Sequence, residues 1–159
     1  MAFALSSMQL KSDAFDALQP IPTRYSGEAD KELSPALSWS GAPEGTKAFA
    51  VFCHDPDAPL VQNGSYGFVH WVLYNLSAST TALEEGTQKG TAGANNFGNT
   101  GYGGPMPPEG HGVHQYYFWV LALDADLNLP AGLELADLLS RVEPHLLGMN
   151  RLIGTYQRD

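Results

Sequence analysis

The sequence predicts a mainly β fold in a single domain over residues 1–159, with a helical segment near the C-terminus. Three apolar runs that contain aromatic residues have the length of strands, and turn-forming residues bound each of them. After Pro130 the apolar residues follow helical rather than strand spacing. A chain of 159 residues fits one domain and is long enough to bury a core.

The predicted strands come in a simple order along the chain. They are an edge strand at 5–10, a short strand at 37–39, and three strong strands at 47–53, 68–76 and 115–124. Prolines at 20, 22 and 35 predict loop structure for most of the first 35 residues, because proline breaks helices. Ser, Thr, Gly, Asn and Pro dominate residues 77–113, and so long an irregular connection in a compact domain is usually functional.

A helix is predicted after Pro130. The apolar residues that share its face are Leu135, Leu138, Leu139, Val142, Leu146 and Met149. Pro144 interrupts this face, which predicts either a kink or two short helices with Pro144 in the first turn of the second. Residues 152–156 are predicted to return to a strand.

The charge and the cysteine content limit the classes of binding partner and the cellular compartment that the sequence predicts. With 17 acidic against 8 basic residues the formal net charge is −9, and such a surface repels nucleic-acid phosphates and anionic membranes. Cys53 is the single cysteine, so no intrachain disulfide forms. The first twenty residues lack the pattern of a signal peptide, and no apolar run is long enough to span a bilayer. A cytoplasmic protein is expected.

Several polar residues lie where strands begin or end. Strand periodicity places His114 and Tyr116 on one face at the start of the third strong strand, although a half-buried histidine and a core tyrosine would have the same spacing. Asp55 and Asp57 follow the first strong strand; they either cap their own turn or place one carboxylate in a pocket, where it could fix a histidine tautomer. His70 shares a predicted face with apolar neighbours at 72 and 74, as a core histidine would.

A glycine-rich loop precedes the third strong strand. Residues 101–110 contain Gly103, Gly104 and Pro105, and consecutive glycines can present backbone N–H groups to an anion. A rigid loop without a ligand is the alternative. The loop is not a Walker motif, because no Gly-Lys-Ser/Thr follows it.

Taken together and in this order, the motifs resemble the phosphatidylethanolamine-binding protein family, also called Raf kinase inhibitor protein-like. They are DPDAP at 55–59, HWVLYNL at 70–76 and GYGGPMPPEGHGVHQY at 101–116, with LSPALSW at 33–39, ALD at 122–124 and GTYQR at 154–158 in support. The resemblance covers roughly residues 5–158 and is closest to the short bacterial and archaeal branch. Met106 stands where a cysteine is frequent, Gln115 where an arginine is usual, and residues 29–32 depart from the usual Gly-Glu-Asn.

The resemblance implies a large antiparallel sheet packed on a smaller one with Greek-key connections and peripheral helices. It also implies a small surface pocket for phosphate-like anions and phospholipid head groups. The residues carried over by motif are Asp55, Asp57, Pro59, His70, Gly103, Gly104, Pro105, His114 and Tyr116. Protonated His70 and His114 would supply charge and donors, whereas Asp55 would repel bare phosphate but suit a zwitterionic head group.

These observations predict a non-catalytic binding protein without a cofactor or a metal. The resemblance further implies that a kinase or protease can be the partner; a homodimer is left open. The alternative is a hydrolase or a metal-dependent enzyme that uses the Asp, His and Tyr side chains. No Gly-x-Ser-x-Gly motif is present, while Asp55, His70 and His114 have acceptable ligand types for a metal.

Overall fold

The computed structural model describes residues 6–58 and 67–159, and all structural statements concern these two ranges. The strands are β1 (Gln9–Lys11), β2 (Leu37–Ser40), β3 (Ala48–Asp55), β4 (Phe68–Ser77), β5 (Ala82–Leu83), β6 (Thr91–Ala92), β7 (His114–Leu123) and β8 (Leu146–Tyr156). The helices are α1 (Leu135–Val142) and two 3-10 helices, Thr23–Tyr25 and Glu143–His145.

The strands form two antiparallel sheets. The large sheet has the order β6-β4-β3-β7-β8, and the small sheet has the order β1-β2-β5. After β4 the chain passes β3 and returns as β7 on its other side, which is a Greek-key connection. The mainly β fold with a larger and a smaller sheet is thus confirmed.

Both faces of the large sheet are covered. The inner core lies between the sheets, where Leu37 and Trp39 of β2 pack with Val51 of β3 and Phe118 of β7. The outer core lies under α1, whose apolar stripe buries Leu138 and Val142 against the alternate residues of β3, β4 and β7. Alternation along each strand therefore decides which core a side chain enters.

The predicted strands agree with the structure except at the edge strand. β1 begins at Gln9 rather than at residue 5, which lies outside the described residues, and it is indeed an edge strand. The short strand and the three strong strands are confirmed as β2, β3, β4 and β7. The connection from 77 to 113 contains the short strands β5 and β6, which its polar composition did not predict.

The helix is shorter than predicted. α1 ends at Val142, and Pro144 lies in the first turn of the following 3-10 helix, as one of the two expected arrangements has it. The prediction that Leu146 and Met149 continue the helix is wrong, because β8 begins there and pairs with β7 along its whole length. Both side chains still pack against the outer core, which explains their apolar character. No described helix has the length and apolarity to cross a membrane.

Candidate functional site

A pocket of about 350 Å³ lies at one end of the inner core. Antiparallel pairing brings the end of β3 next to the starts of β4 and β7, so residues distant in sequence meet there. The polar residues in its lining are Asp55, His70, His114 and Tyr116, and the apolar ones are Ala58, Phe68, Phe97, Met106, Pro107 and Pro108. Four predicted site residues are thus brought together. Pro59, also predicted, lies outside the described residues.

Asp55 fulfils both roles that the sequence left open. Its side chain is buried, and Oδ1 accepts the backbone N–H of Asp57 at 2.8 Å in a turn. Its other oxygen, Oδ2, lies 2.6 Å from Nδ1 of His114. Asp57 does not line the pocket; its carboxylate accepts the N–H of Gln115 at 2.8 Å and so ties the turn to β7. Asp55 therefore fixes the orientation of His114.

A β-bulge directs His70 into the pocket. Cys53 pairs with Trp71 while His54 pairs with Val69, so His70 is an extra residue without a partner on β3. Its ring lies 5.2 Å from that of Tyr116, on the inner side of the sheet. The prediction that His70 shares a face with residues 72 and 74 is wrong, because the bulge interrupts the alternation and those two residues enter the outer core.

His70 is a hydrogen-bond acceptor toward the pocket. Burial lowers the pKa of His70 from its ordinary value to about 4, so the ring is neutral near pH 7. Nδ1 lies 2.8 Å from the carbonyl oxygen of Gly103 and must donate to it, which leaves a lone pair on Nε2. The lowered pKa disfavours the expected protonated His70 as a donor to an anion near neutral pH, and a donor role for this ring stays a prediction for more acidic conditions.

Tyr116 carries the free donor of the pocket. Its side chain is 1% exposed, and no group among the described residues meets hydrogen-bond geometry with its hydroxyl, although the Asp55 carboxylate lies near enough to be a weak acceptor. Burial, and then the nearby Asp55 carboxylate, raise the pKa of Tyr116 well above its usual value, so the hydroxyl keeps its proton. A buried hydroxyl without a partner costs about 1–3 kcal/mol, and a ligand oxygen would remove this cost.

The glycine-rich loop supports the pocket from behind. The N–H of Gly103 donates to the carbonyl oxygen of His70 at 2.9 Å, and the N–H of Gly104 donates to Glu32 at 3.4 Å. Both N–H groups that the sequence offers to an anion are thus engaged within the protein. Gly104 is required by packing, because a Cβ atom there would lie 2.4 Å from the carbonyl oxygen of Tyr25. The loop reaches the pocket surface only after Pro105, from residue 106 to 108.

Two features of the site were not predicted from the sequence. His111 is exposed, yet its Nδ1 lies 2.7 Å from Nε2 of His114. The signal was the spacing of the two histidines in a glycine-flanked turn. Phe97 packs edge-on against Phe68, with ring centroids 4.6 Å apart, and is 42% exposed at the pocket rim. An aromatic residue within a polar loop was its signal.

Gln115 lies on the face away from the pocket, where its Oε1 accepts the hydroxyl of Tyr117 at 3.2 Å. We expect Gln115→Arg to leave the affinity for phosphate unchanged within about twofold, because residue 115 points to the opposite side from His114 and Tyr116. Titration calorimetry with inorganic phosphate measures this. Binding that is tenfold tighter in the variant would mean that the guanidinium curls around the strand edge into the pocket.

The enzyme and metal alternatives gain no support from the geometry. No Ser, Cys or Thr lines the pocket in the described ranges, so the histidines have no serine, threonine or cysteine nucleophile to activate there. The described residues also contain no group of three or more His, Cys, Asp or Glu side chains arranged to hold a metal ion. Both nitrogens of His114 are already engaged, with Asp55 and His111.

Comparison with known proteins gives consistent matches over nearly the whole chain. The family model described as phosphatidylethanolamine-binding protein matches residues 11–157. A UPF0098 protein of Methanothermobacter thermautotrophicus is 40% identical over 158 residues, covering 95% of this chain and 99% of the relative. A UPF0098 protein of Aquifex aeolicus is 39% identical, covering 96% of this chain and 90% of the relative.

Two solved structures are also similar. The crystal structure of a putative phosphatidylethanolamine-binding protein homologue from Chlamydia trachomatis has a TM-score of 0.87 at 37% identity, covering 96% of this chain and 98% of the other. Escherichia coli YbcL, described as a new member of the mammalian family, has a TM-score of 0.85 at 28% identity, covering 97% of this chain and all of the other.

Proposed function

Because this chain belongs to the phosphatidylethanolamine-binding protein family, we propose that it is a non-catalytic binding protein whose pocket takes a phosphate-like or phospholipid head group. The pocket of about 350 Å³ is at the small end of ligand sites. Phe97 and Met106 are each 42% exposed at its rim, where they offer an apolar surface beside the head group.

The observation that carries this proposal is the hydroxyl of Tyr116. A buried polar atom without a partner is rare in folded proteins, and this one lies in a pocket beside Asp55 and His70. A ligand oxygen that accepts from this hydroxyl would complete its hydrogen bonding. The three groups together offer one donor and two acceptors.

A pocket with one hydrogen-bond donor and two acceptors favours a zwitterionic head group over a free phosphate. The described lining contains no Lys or Arg, and Asp55 repels a bare dianion. A group such as phosphoethanolamine can place an oxygen on Tyr116 and direct its ammonium toward Asp55 and Nε2 of His70. We therefore expect phosphoethanolamine to bind more tightly than inorganic phosphate.

Tyr116→Phe tests the proposal with an almost isosteric change. We expect binding of phosphoethanolamine to weaken about tenfold, because the variant loses one hydrogen bond to the ligand. The free energy of unfolding should stay the same or rise by about 1 kcal/mol, since the lost hydroxyl had no partner among the described residues. Calorimetry and urea unfolding measure the two effects.

Tyr74→Phe is the matched control. The hydroxyl of Tyr74 is bonded to the carbonyl of Pro130 and the N–H of Leu133, far from the pocket lining. This variant should lose about 1 kcal/mol of stability and keep its ligand affinity. Unchanged affinity in Tyr116→Phe would remove the hydroxyl from the binding site and contradict the proposal.

Two further functions remain predictions: hydrolase activity and the regulation of a partner protein. Steady hydrolysis of p-nitrophenyl esters or phosphates by the purified protein, lost in His114→Ala, would replace the binding function with an enzymatic one. Regulation of a kinase or protease partner, which the resemblance implies for members of the family, is compatible with a ligand pocket on the same chain.

A further inference from the structure

His114 is held at both ring nitrogens. Nδ1 lies 2.6 Å from Oδ2 of Asp55, and Nε2 lies 2.7 Å from Nδ1 of His111. The ring of His114 is 2% exposed, whereas His111 is exposed to solvent. A continuous row of hydrogen bonds, from His111 through His114 to Asp55, therefore leads from the surface to the buried carboxylate. His114 lines the pocket but has no ring nitrogen left for a ligand.

The protons in this row can be assigned from its partners. An ionised Asp55 only accepts, so the proton between it and His114 belongs to Nδ1 of the histidine. Neutral His114 then has a lone pair on Nε2, and His111 must donate to it from Nδ1. In this arrangement of hydrogen bonds neither His114 nor His70 presents an N–H to the pocket, so an anion finds no histidine donor there.

Protonation changes this arrangement in a defined way. One added proton can be shared between the two rings without breaking their hydrogen bond. A second proton would place two N–H groups face to face, which separates the rings. The turn that carries His111 is flanked by Gly110 and Gly112, whose φ angles of 70° and 91° require glycine, so such a separation would involve this turn rather than β7. His114 would then present Nε2–H to a ligand.

We propose that His111 determines the ligand specificity of the pocket by capping Nε2 of His114, so that a phosphate oxygen can bind His114 only after the cap is displaced. The inference rests on the proposed function. His111 acts through His114 and is a positioning residue. The other titratable groups near His114 and the row are Asp55 at the end of β3, Asp57 in the turn that follows it, His70 from β4 and Tyr116 from β7.

The test compares wild type with His111→Ala and His111→Asn between pH 5.5 and 8.5. Calorimetry uses inorganic phosphate in one arm and phosphoethanolamine in the other, which separates free phosphate from a head group as the source of the anion. In His111→Ala we expect phosphate to bind about tenfold more tightly at pH 7, because no hydrogen bond to the cap must be broken. The dependence of the phosphate affinity on pH should also change, because His111 no longer occupies Nε2 of His114.

His111→Asn can keep an amide N–H on Nε2 and should return the affinity and the pH profile toward wild type. His145→Ala is the matched control, since His145 is another histidine bonded to a carboxylate, that of Asp124, away from the pocket. Identical affinities and pH profiles in wild type and His111→Ala would overturn the inference and leave the proposed function intact. No binding of either probe by any variant would overturn the proposed function, and the inference with it.

Discussion

Replacing Asp55 with alanine is expected to lower the free energy of unfolding by about 3–5 kcal/mol. The carboxylate is buried and is the hydrogen-bond partner of both the N–H of Asp57 and the Nδ1 of His114. Its removal leaves two donors without their partner, one of them on the buried ring of His114, and it frees this ring, which β7 presents to the pocket. Urea unfolding of the purified variant measures the loss.

Asp57→Ala is the matched control for this experiment. Asp57 is exposed, and its carboxylate makes one hydrogen bond, to the N–H of Gln115. We expect that variant to lose only about 1 kcal/mol. Equal losses in the two variants would mean that the hydrogen bonds of the buried carboxylate contribute no more than those of a surface turn.

A second large effect is expected when the pH falls from 7 to 4. Burial holds the pKa of His70 at about 4 in the folded protein, whereas an unfolded histidine titrates near 6.5. Between these values the unfolded chain binds more protons than the folded one, so the stability decreases as the pH falls through this window. The difference corresponds to about 3 kcal/mol, present in full above pH 6.5 and lost by about pH 4.

His70→Asn isolates this contribution from that of the carboxylates. Its amide can still donate to the carbonyl of Gly103, but it does not titrate. The stability of wild type should therefore fall more steeply than that of the variant, and the gap between the two curves should change by about 3 kcal/mol from pH 7 to 4. His145→Asn, a change at a partly exposed histidine, serves as the control. Parallel curves for wild type and His70→Asn would contradict the predicted contribution.

The sequence predicted the strands well because their apolar runs are bounded by turn residues, and local spacing decides such elements. It failed at Leu146 and Met149 because a half-buried strand and a helix can place apolar residues at similar intervals. Only the pairing partner distinguishes the two, and β7 offers a partner for all of β8. The small strands β5 and β6 depend on pairing in the same way.

For the candidate site, too, the identity of the residues could be predicted from local sequence, whereas their contacts with distant segments could not. Asp55, His70, His114 and Tyr116 were identified from sequence and meet in one pocket. What each can donate or accept was not predictable, because it depends on contacts made across the fold. Gly104 illustrates this: its lack of a side chain is visible in the sequence, but the carbonyl that requires it belongs to Tyr25, in a 3-10 helix distant along the chain.

Because of the bulge in β4, the pocket histidine takes no part in the regular pairing of β4 with β3. His70 is the extra residue between two regular stretches of pairing, with Asp55 and His54 matched on one side of it and Cys53 on the other. Deleting that single residue would join the stretches on its two sides and keep each of these partners, while the second irregularity of the pairing, between Phe49 and Val51, would remain. The imidazole is thus an insertion that a lineage could gain or lose in one step, without changing the register of the sheet.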